Sequence, residues 1–131
     1  YNEHVNRYSY KEQEMDILDS KEENCEHEKH LEKVKNFIDN QNSIDDICNL
    51  LKILGEPSRL KIVLALSEGD MCVYHIVKAV NSNQSAVSHQ LRILRENKVI
   101  KSFRKGQNIV YSLDDEHIMQ IINLVKTHVE E

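Results

Sequence analysis

The stretch between residues 71 and 113 limits the fold more than any other part of this chain. Val73, Ile76, Val77 and Val80 recur at helical spacing, and a polar Asn81-Ser82-Asn83 segment separates them from a second helical period, Val87, Leu91 and Leu94. The spacing predicts one short helix over residues 71–80 and another beginning near residue 84. Two helices joined by so short a turn form a helix-turn-helix. Alternation then replaces the helical period. Residues 99–104 and 109–113 read as strands around Lys105-Gly106-Gln107-Asn108, with Ile109, Tyr111 and Leu113 facing inward. A hairpin wing directly after a helix-turn-helix leaves few architectures open to a chain of 131 residues, which is enough for one core.

The flanking apolar periods are helical. Leu31, Val34, Phe37 and Ile38 mark one helix, and after Asp39-Asn40-Gln41-Asn42 a second begins, with Ser43 as N-cap and Asp46 as its capping-box partner. Ile44, Ile47, Leu50, Leu51 and Leu54 are its stripe, and Gly55 closes it. Pro57 suits the first turn of a helix over residues 58–66, with Leu60, Val63, Leu64 and Leu66 inward, before the Glu68-Gly69-Asp70 break. A last helix runs from about residue 115 to 131, with Ile118, Ile121, Ile122, Val125 and Val129 along one side. The expected class is mainly α with a small β-hairpin, a winged helix-turn-helix. Residues 1–30, polar and without a sustained period, are expected to be a flexible acidic arm, and residues 31–131 the folded domain.

A net charge of −5 argues against a nucleic-acid partner until its distribution is read. Residues 1–48 hold six Lys/Arg against thirteen Asp/Glu, whereas residues 84–105 hold Arg92, Arg95, Lys98, Lys101, Arg104 and Lys105 against Glu96 alone. The basic run coincides with the second helix of the pair and with the wing, where a phosphate backbone would lie. A helix fits the major groove, and Gln84, Ser85, Ser88 and His89 have the short polar side chains that can meet base edges. Arg92 on the helix, with Arg104, Lys105 and Gln107 on the wing, completes the expected interface with double-stranded DNA. The competing account is a solvated polar face, with His89 a packing residue beside the stripe. Apolar runs are broken every few residues, so no membrane span is expected. Cys25, Cys48 and Cys72 are odd in number and lack a short repeated spacing, which makes no disulfide framework. The chain opens on Tyr1 with no signal-type segment, and a cytoplasmic location is expected.

The last helix also carries Asp115, His117, His128 and Glu131, in the pattern D-x-H-x10-H-x2-E. Eleven helical steps return the two imidazoles to nearly one azimuth but leave them about 16 Å apart along the axis. Because zinc bonds are only about 2.0–2.2 Å long, a four-ligand site needs two such helices paired antiparallel. Asp115 and His117 of one subunit would then meet His128 and Glu131 of the other, giving two equivalent sites in a homodimer. Two nitrogens and two oxygens suit Zn(II), with Co(II), Ni(II) or Cd(II) as alternatives. Four protein ligands leave no vacancy for water, and neither a nucleophile motif nor a phosphate loop occurs, so no enzyme is expected. The competing account makes the four residues solvated positions on an amphipathic helix, with Asp115 an N-cap and Glu131 a chain end.

From about residue 47 to 131 the chain resembles the ArsR/SmtB family of winged-helix metalloregulators. The resemblance is carried by Leu54-Gly55-Glu56-Pro57-Ser58-Arg59-Leu60, by Gln84-Ser85-Ala86-Val87-Ser88-His89-Gln90-Leu91, by Arg104-Lys105-Gly106-Gln107 with Tyr111-Ser112-Leu113, and by the terminal D-x-H-x10-H-x2-E. It implies a homodimer joined through the first and last helices, DNA contacts at Gln84, Ser85, Ser88 and His89, and an intersubunit zinc site at Asp115, His117, His128 and Glu131. It further implies a repressor that binds operator DNA as the apo dimer and is released by Zn(II) or a similar ion. A second family site joins the N-terminal arm to the first helix of the helix-turn-helix. Cys72 keeps its key position, but Tyr74 replaces a second thiolate and His75 stands one turn after Cys72. Cys25 and His27 or His30 from the other subunit's arm would complete it, and the Tyr74 departure argues against cadmium or lead sensing. Cys48, on an apolar face, is expected in the core. The alternative function is a metal-independent or thiol-redox-responsive winged-helix regulator using Cys25 and Cys72.

Overall fold

In the computed structural model residues 26–131 are described, and the chain divides into two compact units, residues 1–44 and 45–131. Most of the expected acidic arm, Cys25 included, lies outside the described residues. The described part of the first unit is helix α1 (His27–Asp39), closed by the Asn40 N–H donating to the Asn36 carbonyl and the Gln41 N–H to the Ile38 carbonyl. It has no buried residue, and the expected stripe of Leu31, Val34, Phe37 and Ile38 is exposed along its whole length.

The second unit runs α2 (Ile44–Leu54), α3 (Pro57–Ser67), β1 (Met71–Cys72), α4 (Val73–Ala79), α5 (Gln84–Glu96), β2 (Ile100–Lys105), β3 (Asn108–Leu113) and α6 (Glu116–Glu130). Pro57 opens α3, its missing N–H being no loss in a first turn. Glu56 is the N-cap: its carboxylate accepts from the N–H groups of Ser58 (3.2 Å) and Arg59 (3.1 Å) and from the Ser58 hydroxyl. These bonds, led by that of the Ser58 hydroxyl, favour the charged form and hold the Glu56 carboxyl below its ordinary value. The buried face of α3 is Ile62, Val63 and Leu66, while Leu64 points outward, contrary to the sequence expectation. Apolar residues surround this helix, so its spacing could not select a face; packing against α4, α5 and β3 did.

A second correction concerns residues 71–72. They do not begin the helix but form a strand, antiparallel to β3 with Met71 opposite Tyr111 and Cys72 opposite Val110. Pairing with the exposed edge of β3 outweighs one more turn of local helix, and the sheet has the order β1-β3-β2. The β2–β3 hairpin pairs Ile100 with Leu113 through to Lys105 with Asn108. Its two-residue loop has Gly106 at φ +66°, as the first position of a type II′ turn demands. Tyr111 and Leu113 pack on the core as expected, but Ile109, near the wing tip, is half exposed because the sheet there extends past the helices.

Both helices of the pair end alike. After α4 the N–H groups of Asn81 and Ser82 reach the carbonyls of Lys78 and Val77, and after α5 those of Lys98 and Val99 reach Arg95 and Leu94. These are Schellman closures, with Asn81 (φ 53°) and Lys98 (φ 59°) at the left-handed position. The second closure buries Leu94 and Val99 completely and aims the chain into β2. Val87, Leu91 and Leu94 face the core as the spacing predicted, joined by Ile76, Ile62, Val63, Ile100 and Ile118.

Two helices bury only part of their apolar surface. In α2 Ile53 and Leu54 are buried, whereas Ile44, Ile47 and Leu51 are 41–53% exposed. Cys48 is exposed among them and is not a core residue, because the face it shares is turned away from the other elements. In α6 Ile118 is buried and Met119, Ile121 and Ile122 pack on the core, but Leu124, Val125 and Val129 are exposed.

Replacing Glu56 by Ala lowers the thermal midpoint at pH 7. A depressed carboxyl stabilises the fold above its unfolded value of 4.5 and loses that contribution as pH falls through its folded value, so the gap to wild type closes on acidification, read by melting curves from pH 7 to 3. Lys98→Gly relieves a left-handed lysine and stabilises by about 1 kcal/mol in urea unfolding.

Candidate functional site

Helix α5 is presented by its two ends. Asn83 caps it, its side chain accepting from the Ala86 N–H at 2.9 Å, and the Lys98 closure holds the other end. With Val87, Leu91 and Leu94 inward, Gln84, Ser85, Ser88, His89 and Arg92 fall on one exposed arc. His89 is exposed and does not pack in the core. Arg92 Nε lies 3.5 Å from Glu96 on the helix surface, so the sole acid of the basic stretch shares a turn with one of its cations. Arg104, Lys105 and Gln107 are all exposed on the wing.

Strand register adds Phe103, which composition missed, to basic residues already singled out. Lys101, Phe103 and Lys105 share one face of β2, and Phe103 stays 42% exposed between the two lysines. On α4, Lys78 Nζ stands 4.6 Å from the centroid of the exposed Tyr74 ring. The first helix of a helix-turn-helix crosses the nucleic-acid backbone, so Lys78 is a phosphate-binding candidate; its spacing of four from Tyr74 was the available signal.

The four expected ligands on α6 fall into two groups. Asp115 is the N-cap, its Oδ1 accepting from the His117 N–H at 2.8 Å and lying 3.4 Å from His117 Nδ1. His128 is in the last turn and Glu131 follows it. The helix is unbroken, which separates the pairs by about 16 Å. Among the described residues no three His, Cys, Asp or Glu side chains come together as a metal-holding group. Asp115 thus does serve as a cap, and a capping carboxylate keeps lone pairs for a second partner.

Cys72 and His75 do meet. Cys72 precedes α4 with extended backbone, and its Sγ lies 3.1 Å from His75 Nδ1, with the Tyr74 ring edge-on to that imidazole. His27 and His30 lie on α1, in the other unit. No described helix is long and apolar enough to cross a membrane.

Comparison with known proteins is consistent with this arrangement. Residues 56–102 match the family model described as bacterial regulatory protein, arsR family. The chain is 36% identical over 124 residues to a transcriptional repressor SmtB homolog of Synechocystis sp., covering 86% of this chain and 94% of that protein. It is 33% identical to a cadmium resistance transcriptional regulatory protein CadC homolog of Staphylococcus aureus, covering 80% and 87%. Among solved structures, the homodimeric winged helix-turn-helix DNA-binding domain of a possible ArsR-family regulator from Mycobacterium bovis superposes with a TM-score of 0.63 at 25% identity, covering 67% of this chain and 82% of that one.

Arg92→Ala weakens binding to specific and unrelated duplexes alike, and lowers the slope of log affinity against log salt by about 1. Fluorescence anisotropy across a potassium chloride series reads both effects.

Proposed function

We propose a function that proceeds from family membership: the chain belongs to the arsR family of bacterial regulatory proteins, and it represses transcription as a homodimer that leaves operator DNA on binding Zn(II) or a similar divalent ion. Transcriptional regulation, without enzymatic activity, is the family's work, and its winged helices bind DNA.

The observation that carries it is the geometry of Asp115 and His117. A tetrahedral zinc ion with bonds of about 2.0–2.2 Å sets neighbouring ligand atoms about 3.3–3.6 Å apart. Asp115 Oδ1 and His117 Nδ1 stand 3.4 Å apart, a separation that would suit one edge of such a tetrahedron. Capping fixes Asp115, and the first turn of α6 carries His117. His128 and Glu131 would supply the other edge from a second chain, since within one chain they are too distant. The exposed Leu124, Val125 and Val129 of α6 provide the apolar surface by which two such helices would pair.

The same pairing explains why metal and operator would oppose each other. Ligands drawn from two subunits favour the dimer geometry that brings both halves together, and α5 belongs to the same compact unit as α6. Metal and DNA therefore compete wherever that geometry misplaces the two α5 helices in successive major grooves, and the coupling is reciprocal. A bacterial regulator of this family would meet its DNA in the cytoplasm, which is the location we propose. A cadmium-resistance regulator among its relatives supports a metal response, and the hard N/O donor set favours zinc over cadmium. Cys72 and His75, already 3.1 Å apart, form half of a second, softer site.

The test is a Zn(II) titration of the purified dimer on labelled operator. Wild type takes up two ions per dimer at the α6 sites and loses operator affinity; His128→Ala binds operator normally as apo protein and is not released. Release of that variant at the wild-type zinc concentration overturns the reading. With Co(II), thiolate charge-transfer absorption that vanishes in Cys72→Ser marks the second site apart from the first.

A further inference from the structure

Gln90 lies on α5 but not on the arc of Gln84, Ser85, Ser88, His89 and Arg92. At 100° per residue it sits about 240° from Gln84, toward α3 and away from a groove-facing surface. Both ends of its amide are engaged. Arg59 Nη1 donates to Gln90 Oε1 at 3.3 Å, and Gln90 Nε2 donates to Ser58 Oγ at 3.0 Å. Arg59 also donates from Nε to the Ile53 carbonyl at 2.8 Å, one of the carbonyls left unpaired at the end of α2, and the Ser58 hydroxyl donates to Glu56. A circuit of hydrogen bonds thus runs from the end of α2 through Arg59 and Gln90 to the cap of α3.

Beside this circuit the seam between the first turn of α3, the helix-turn-helix turn and α5 is open. A cleft of about 360 Å³ is lined there by Ser58, Lys61, Asn81, Ser82 and Gln90 among others. Apolar packing grips α5 along Val87, Leu91 and Leu94, with Ile93 partly buried beside them, and on the open side the two bonds of Gln90 add a directional restraint on rotation of α5 about its axis. A second polar tie holds the far end: Asn49 of α2 donates to Asn97 Oδ1 at 3.0 Å, and Asn97, just past α5, donates to the Ile93 carbonyl at 2.8 Å.

We infer that Gln90, held between Arg59 and Ser58, is a positioning residue that sets the rotation of α5, and with it which base edges Gln84, Ser85, Ser88 and His89 reach. The inference rests on the DNA-binding role of α5. It places specificity on a residue that touches neither base nor phosphate.

The experiment measures affinity of the full chain for operator and for an unrelated duplex, at several salt concentrations, for wild type, Gln90→Ala, Arg59→Ala and the double variant, each checked for folding by circular dichroism. Gln90→Ala lowers operator affinity about tenfold, leaves the unrelated duplex and the salt slope unchanged, and so lowers specificity about tenfold. Arg59→Ala gives a similar loss, and the double variant loses little more than either single one. Arg59→Lys, which keeps the charge but cannot fork to both acceptors, behaves as Arg59→Ala and replaces it if that variant does not fold. Unchanged operator affinity in folded Gln90→Ala, strictly additive losses, or a reduced salt slope would each overturn the inference. Failure of wild type to prefer operator over the unrelated duplex overturns instead the reading of α5 on which it rests.

Discussion

Four side chains with no exposure at all, Val63, Ile76, Leu94 and Val99, form the clasp on which the structure depends. They come from α3, α4, the end of α5 and the junction into β2, so one apolar contact joins every element that carries α5. Burying a side chain of this size stabilises by about 1.5–3 kcal/mol, and none of the four has a polar atom to satisfy. The clasp leaves the opposite side of α5 free, and every side chain on that arc is short, polar or basic. Apolar contact thus sets where the helix lies, while the polar ties of Gln90 and Asn97 bear on its rotation.

A second constraint is the length of α6. An unbroken helix cannot fold back on itself, so Asp115 and His117 are held as a pair and His128 and Glu131 are kept from them. The same helix exposes Leu124, Val125 and Val129, and α2 exposes Ile44, Ile47 and Leu51. Among the described residues, exposed apolar surface and ligand pairs lacking their complement occur together on α6. Both deficits have one remedy in the proposed homodimer, which would couple subunit pairing to metal binding.

How legible each part was in the sequence follows from how one-sided its apolar pattern is. Val87, Leu91 and Leu94 form the one apolar stripe of α5, with Ile93 the only other large apolar side chain on that helix, so the spacing pointed to one buried side, and it is the observed one. Helix α3 is apolar almost all round, which is why Leu64 was expected inward and Ile62 was not. Residues 71–72 read as helix because the neighbouring Val73, Ile76 and Val77 are helical, and the edge of β3 that captures them lies about forty residues away in the chain. Cys48 misled for a related reason: its apolar neighbours belong to a face that the described residues of its own unit leave exposed. The Glu56-Pro57-Ser58-Arg59 run was legible as a motif, yet its bond to Gln90 spans thirty-one residues and has no local signature.

By itself the sequence determined the succession of elements, the arc of polar and basic residues on α5, the basic wing, and the arithmetic that keeps His117 from His128. Each of these depends on periodicity or rise per residue, which are properties of the local backbone. Tertiary structure alone decided which face of α3 is buried, that Met71 and Cys72 extend the sheet, and that Gln90 is gripped from α3. Those outcomes depend on which surfaces compete for the same space, and that competition exists only once the chain has closed on itself.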